Sequence, residues 1–119
     1  MSSYKDLDVW EKSFNTCVDI YEITKDFPKE ELYGLTSQIR RASVSIPSNI
    51  SEGSKRGRKE FLQFLKIAHG SGAELETQLM LANRLTYLSD EDFERISQDL
   101  ENIMRMLSAF IKKLQTTNE

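Results

Sequence analysis

Cysteine, histidine and tryptophan each occur once in this chain of 119 residues, as Cys17, His69 and Trp10. A single cysteine excludes an internal disulfide and a zinc site built from several thiolates. A single histidine excludes the paired Glu-x-x-His motifs of carboxylate-bridged di-metal bundles. Glu74 and Glu76 follow His69 by five and seven residues, too far along a helix to share a ligand set with it. No apolar run approaches the roughly 18 residues needed to cross a bilayer. The opening "MSSYKDLDVW" has no apolar stretch suited to a signal peptide. The chain is expected to remain in a reducing cytoplasm, with no membrane partner and no cofactor.

What is present describes a globular protein. Hydrophobic residues make up 39% and charged residues 29% at a net charge of -3, values that suit a soluble domain with one core. Five glycines and two prolines punctuate the chain in order. Phe27-Pro28 and Tyr33-Gly34 bracket one connection, Gly53 to Gly57 a second, and "LSDEDF" a third, with Ser89 or Asp90 placed to cap the helix that follows.

The segments between carry helical periods. Trp10, Phe14, Cys17, Tyr21 and Thr24 recur at 4 and 3; Leu35, Ile39, Ala42, Ile46 and Ile50 share one face. Phe61, Leu65, Ala68, Gly72, Leu75, Leu79 and Ala82 alternate by 4 and 3, as do Phe93, Ile96, Leu100, Ile103, Leu107, Phe110 and Leu114. Such seams let antiparallel helices pack at a shallow angle. The fold expected is all-α: a single antiparallel up-down-up-down four-helix bundle over 1–119, with helices near 7–26, 35–53, 57–88 and 90–116.

Pro47 falls inside the second helix and is expected to bend it near Ser43. Gly70 and Gly72 lie inside the third, where close approach of a neighbouring helix or subunit accounts for them. Leu62, Ile67, Leu81, Leu85 and Leu88, with Met104, Met106 and Ile111, lie beside or beyond the main stripes. Apolar coverage this wide predicts a homo-oligomer.

The residues offer little to an enzyme. His69 adjoins Ala68 of the core stripe, and no oriented nucleophile accompanies it; a hydrogen-bonded histidine at the core edge or an interface is expected. Cys17 falls on the first apolar stripe and reads as structural. "GSKRGRK" lacks the residue order and the preceding strand of a phosphate loop. No catalytic, cofactor-binding or metal-binding residues are assigned.

The basic residues are less evenly spread. Between Arg40 and Lys59 six basic side chains face one acid, Glu52, a local +5 in a chain of net -3, so the remainder carries -8. On a helix, about 15 intervening residues separate Arg40 and Arg41 from Lys55, Arg56, Arg58 and Lys59 by about 20 Å, making two clusters. The second is either a solvated turn or, repeated around an oligomer, a ring for salt-sensitive contact with nucleic-acid phosphates.

The blocks "LDVWEKS", "FPKEELYGLTSQIRRASVSIPSNISEGSKR", "FLQFLKIAHGSGAELETQL" and "IMRMLSAFIKKL" resemble the four-helix-bundle proteins encoded in intervening sequences of bacterial 23S ribosomal RNA genes. Ser51 stands where that pattern usually has alanine. The resemblance implies a small cytoplasmic bundle, often a barrel-like homopentamer, without established enzymatic activity. A related branch, the accessory variability proteins of diversity-generating retroelements, is strongly basic, binds nucleic acid and partners a reverse transcriptase. The pI near 5.3 departs from that branch. Trp10, Pro47 and Gly53 read as core or backbone-geometry positions. Tyr33, Gly34, Gln38, Arg40, Arg41, Asn49 and Glu52 are candidates for interhelix bonds, subunit contacts or a binding surface. Pairing of Arg40 or Arg41 with an acid on an adjacent helix or subunit, such as Asp19 or Glu22, is the expectation.

Overall fold

The computed structural model describes residues 3–116, and the apolar stripes become four α-helices. These are α1 (Asp8–Thr24), α2 (Leu35–Ser54), α3 (Arg58–Arg84) and α4 (Asp90–Thr116), with 3-10 turns at Tyr4–Asp6 and Lys29–Glu31. No strand occurs among the described residues. Each helix packs on the next and α4 returns to α1, whereas the diagonal pairs stay apart. Overall dimensions of 50 × 22 × 20 Å give the bundle a near-square cross-section.

The stripes of α2, α3 and α4 are buried as their periods predict. Ile39, Ile46, Ile50, Leu65, Leu75, Leu79, Ile96, Leu100, Ile103 and Leu107 are all 2% exposed or less. Met104, Met106 and Ile111 pack against this core, and Leu88 is inside it. The spare apolar width of α4 is thus absorbed within the chain, while Ile67 and Leu81 of α3 and Leu85 just past its end remain exposed.

Helix α1 departs from expectation. Its buried residues are Val9, Ser13, Thr16, Ile20 and Thr24, not the run of Trp10, Phe14, Cys17 and Tyr21. Only Thr24 belongs to both sets. The helix is rotated by somewhat less than the roughly 100° that separates neighbouring residues. The large aliphatic side chains of the other three helices already fill the core, so α1 approaches with its smaller face. Two of the three hydroxyls this buries bond backward to their own helix, Ser13 Oγ to Trp10 O at 3.0 Å and Thr24 Oγ1 to Ile20 O at 2.7 Å. Charges facing α4 hold the rotation: Lys12 lies 3.5 Å from Asp99, and Arg95 binds Asp19 through Nε at 3.2 Å and Nη2 at 2.9 Å.

The third helix stops at Arg84, four residues before the expected end. Tyr87 N donates to Ala82 O at 2.9 Å and Thr86 N to Asn83 O at 3.0 Å, the paired bonds of a Schellman stop. That stop places Thr86 at φ 66°, where a β-branched residue is strained. Asn83 Nδ2 then spans the turn to Leu88 O at 3.1 Å and Asp90 Oδ1 at 2.8 Å. Ser89 starts α4, its hydroxyl accepting from Asp92 N at 3.1 Å.

The same end of the bundle starts α2 in an indirect way. Gly34 supplies no capping side chain, so Glu31 reaches in from the preceding turn and Oε1 accepts from Leu35 N at 3.0 Å. Its Oε2 accepts from the Tyr87 hydroxyl at 3.1 Å, and Tyr87 also lies against Phe27, ring centroids 5.8 Å apart. One carboxylate thereby ties the first connection to the third. The Tyr87 hydroxyl is held above its ordinary pKa of 10.0, chiefly by this bond, with burial and the charges of Glu31 and Glu30 adding to it.

The glycines divide into two kinds. A Cβ on Gly53 would stand 2.6 Å from Phe64 Cβ and 2.9 Å from Phe61 Cδ1, and one on Gly72 would overlap Met104 Sδ. Both positions let neighbouring helices close up. A Cβ on Gly70 would meet nothing within 4 Å, so packing inside the chain does not require that glycine. Pro47 is buried within α2, which continues without a break to Ser54.

Two outcomes follow from this packing. Gly53→Ala should lower the unfolding free energy by about 2 kcal/mol, read as a shifted urea midpoint at constant slope, because Phe64 Cβ has no freedom to retreat without its backbone. The raised Tyr87 pKa stabilises the fold fully below pH 10, and that contribution disappears as pH rises through the higher folded value. Wild type should therefore lose stability above pH 10 more steeply than Tyr87→Phe, measured by denaturation at a series of alkaline pH values.

Candidate functional site

The rotation of α1 leaves its largest side chains along the seam with α2. Trp10 stacks on Phe14 with centroids 5.0 Å apart, and Tyr4 meets the Trp10 edge at 5.3 Å. Together with Cys17, Val44 and Pro47 they line a groove of about 260 Å³. Farther along the seam, Tyr21, Leu32, Tyr33, Ser37, Arg40 and Arg41 line a second hollow of about 390 Å³. Phe14 is 47%, Val18 52% and Tyr33 93% exposed. Of the ten large hydrophobic residues exposed in the described chain, six lie on α1, α2 or the turn between them, and none on α4. A face of this kind marks a contact surface rather than a finished exterior.

The two arginines of α2 take different roles. Arg40 turns toward α1: Nε donates to Thr24 Oγ1 at 2.9 Å, Nη2 to Tyr21 O at 3.5 Å, and the guanidinium lies 4.7 Å from the Tyr21 ring centroid. Its expected acidic partners are committed elsewhere, Asp19 to Arg95 and Glu22 to Lys25. Arg40 is consequently an interhelix bridge, but through a hydroxyl, a carbonyl and an aromatic face instead of a carboxylate. Arg41 is exposed, borders the same hollow as Arg40, and pairs with neither acid.

Two of the remaining polar candidates on α2, Gln38 and Asn49, lie toward α3. Asn49 Nδ2 donates to Ser45 O at 2.7 Å and to Ser45 Oγ at 2.9 Å, and Ser45 Oγ lies 2.8 Å from Ser71 Oγ. This short relay crosses between the helices. Gln38 and Arg41 border a neighbouring hollow with Ser45, Ser71 and Glu74. Glu52 does not cross to another helix; it binds Arg56 one turn away at 3.0 Å.

The basic turn is partly occupied by its own chain. Arg56 lies over the Phe64 ring at 5.2 Å in addition to its bond with Glu52. Arg58 Nη1 donates to Leu114 O at 2.7 Å, tying the start of α3 to the end of α4. Lys55 Nζ stands 5.7 Å from the Tyr4 ring centroid. Lys59 is exposed. The four lie around the α2/α3 connection, at one end of the bundle.

His69 Nε2 lies 3.1 Å from Ser108 Oγ, a contact between α3 and α4. Cys17 Sγ lies 3.4 Å from Ser43 Oγ and is half-buried in the groove wall. Among the described residues, no three His, Cys, Asp or Glu side chains gather as metal ligands, and no helix is long and apolar enough to cross a membrane.

The family model described as 23S rRNA-intervening sequence protein matches residues 5–109, which include the basic turn and all of the α1/α2 groove except Tyr4. The chain belongs to this family. A solved structure from Bacteroides thetaiotaomicron VPI-5482, described as a protein of unknown function from the S23 ribosomal protein family, is similar at 32% identity. The match covers 87% of this chain and 95% of that one, with a TM-score of 0.81. No curated protein matches. Family membership thus fixes the fold and leaves the biochemical role to the surfaces.

The groove's internal wiring makes a separate outcome checkable. Arg40→Met keeps the apolar stem but removes the guanidinium, and should cost about 1–2 kcal/mol of stability, whereas Arg41→Met should change it by less than about 0.5 kcal/mol. Chemical denaturation of both variants measures the difference.

Proposed function

We propose that the protein is a non-enzymatic scaffold or adaptor that works as a homo-oligomer, self-assembled through its lateral helix faces. The observation carrying this reading is the exposed aromatic and aliphatic face along α1 and α2, which includes Phe14, Val18, Tyr21, Leu32, Tyr33 and Val44. Burying such a surface between copies returns about 25 cal/mol per Å² of apolar area, a gain unavailable to an isolated chain. A ring of five is the number implied by the resemblance to intervening-sequence bundles. Its site is a contact surface, and the groove presents no nucleophile paired with a base.

Nucleic-acid binding through Lys55, Arg56, Arg58 and Lys59 is the second reading. Their placement on one exposed end supports it, since a ring would multiply the local charge. The intrachain bonds of Arg56 and Arg58 and the acidic character of the whole weigh against it.

Sedimentation velocity at micromolar concentration checks the assembly. The expected result is a discrete oligomer near five times 13.8 kDa; a monomer at that concentration would refute the reading. Fluorescence anisotropy with structured RNA and duplex DNA across a salt series checks the alternative. Saturable binding lost in a Lys55/Arg56/Arg58/Lys59→Ala variant would promote it, and the expected result is none.

A further inference from the structure

We propose that the polar hollow on the α2/α3 seam is a binding site for a small zwitterion, an α-amino acid whose own side chain is polar and uncharged. The site stands apart from the assembly reading and does not depend on it.

The hollow measures about 260 Å³ and is lined by Gln38, Arg41, Ala42, Ser45, Ser71 and Glu74. That is just below the roughly 300–1,000 Å³ of pockets for drug-sized ligands, the scale of a single amino acid. Ala42, 5% exposed, forms the apolar floor. Ser45 Oγ lies 2.8 Å from Ser71 Oγ and closes one end. Antiparallel neighbours advance equally, at about 1.5 Å per residue. Arg41 and Glu74 therefore stand level one turn along from the serines, and Gln38 and Gln78 one turn beyond. The seam is layered as hydroxyls, opposite charges and amides.

The charged layer selects a dipolar ligand. Arg41 and Glu74 border one hollow, yet no ion pair joins either of them to a described residue. A guanidinium offers a fork of N–H donors that fits a carboxylate, and Glu74 offers a carboxylate to an ammonium. The serine end adds a donor beside Arg41. Asn49 Nδ2 already donates to Ser45 Oγ at 2.9 Å. The contact between the two serines uses only one of their two hydroxyl protons, so the other is left to bond the ligand's carboxylate.

The amide end calls for the ammonium. Gln78 is 7% exposed, its Nε2 donates to Glu74 Oε2 at 3.4 Å, and its Oε1 is buried with no partner. The neighbouring carboxylate fixes that orientation, since a flipped amide would set oxygen against oxygen. A buried acceptor with nothing to accept is costly, and solvation of two surface charges gives no reason for it. An ammonium carries three N–H donors and no acceptor. Bound at Glu74, it meets the carboxylate, and a turn about the soft terminal torsion of Gln78 gives Oε1 its donor. Gln38 then faces the ligand's side chain with a neutral amide, which matches a polar group and leaves a third charge unpaired.

Saturation-transfer NMR on the full chain, with L-glutamine as the probe, tests the site. L-glutamine should give a saturable signal. Glutaramic acid lacks the ammonium and 4-aminobutanamide lacks the carboxylate; each should bind about ten- to a hundredfold more weakly, the worth of one charged hydrogen-bonded contact. Arg41→Met and Glu74→Gln should each lower the affinity for L-glutamine by a similar factor, with the helical circular dichroism of wild type. Gln78→Met should bind more weakly yet melt no earlier than wild type, because it removes an unsatisfied buried group. Arg105→Met, on α4 away from the seam, should bind as wild type does. No saturation at several millimolar, equal binding of the three compounds, or unchanged affinity in Arg41→Met and Glu74→Gln would overturn the proposal.

Discussion

Helix α1 turns its smaller side chains inward, and much of the molecule's surface character depends on that choice. Val9, Ser13, Thr16, Ile20 and Thr24 meet a core already filled from α2, α3 and α4. A close-packed interior has no room for a further row of aromatic rings. Trp10, Phe14 and Tyr21 are therefore displaced to the seam with α2, where they form a groove instead of a core layer. Of the polar groups buried in exchange, the hydroxyls of Ser13 and Thr24 bond to carbonyls of their own helix.

Arg40 is a consequence of the same rotation. With Thr24 and Tyr21 on the seam, the guanidinium finds a hydroxyl, a carbonyl and a ring face in one place. A carboxylate partner would have required Asp19 or Glu22 to point toward α2; the rotation aims Asp19 at α4 and Arg95. At the far end of the bundle, Glu31 performs a comparable joining role. It caps α2 and accepts from Tyr87, so two connections distant in sequence are held by one side chain.

Much of the fold was legible from residue spacing. Leu65, Ala68, Gly72, Leu75 and Leu79 could be placed inside because a seven-residue repeat admits one consistent buried face. The repeat in α1 was misleading for a physical reason. Apolar residues on that helix cover two neighbouring faces, and the stripe richer in large hydrophobics belongs to the exterior groove. Periodicity measures where apolar residues lie, and it does not say whether the neighbour is the same chain. The α3 end near residue 88 was misjudged because Thr86 adopts a conformation more usual for glycine, a stop that carries no glycine signal.

The candidate site was legible only in fragments. Gln38, Arg40, Arg41, Asn49 and Glu52 were marked as a group, yet the bundle sends them to different partners: Arg40 to α1, Asn49 toward the α3 boundary, Glu52 to its own helix. Phe14 and Tyr21 fall on an apolar stripe of core period yet lie outside the core. By itself the sequence determined the number of helices, their order and the faces that three of them bury, since these follow from local period and short connections. Only the tertiary structure decided the rotation of α1 and the partners of each charge. It alone distinguished glycines that admit a helix of the same chain from the one facing open space, because those outcomes depend on which volumes the other helices have already filled.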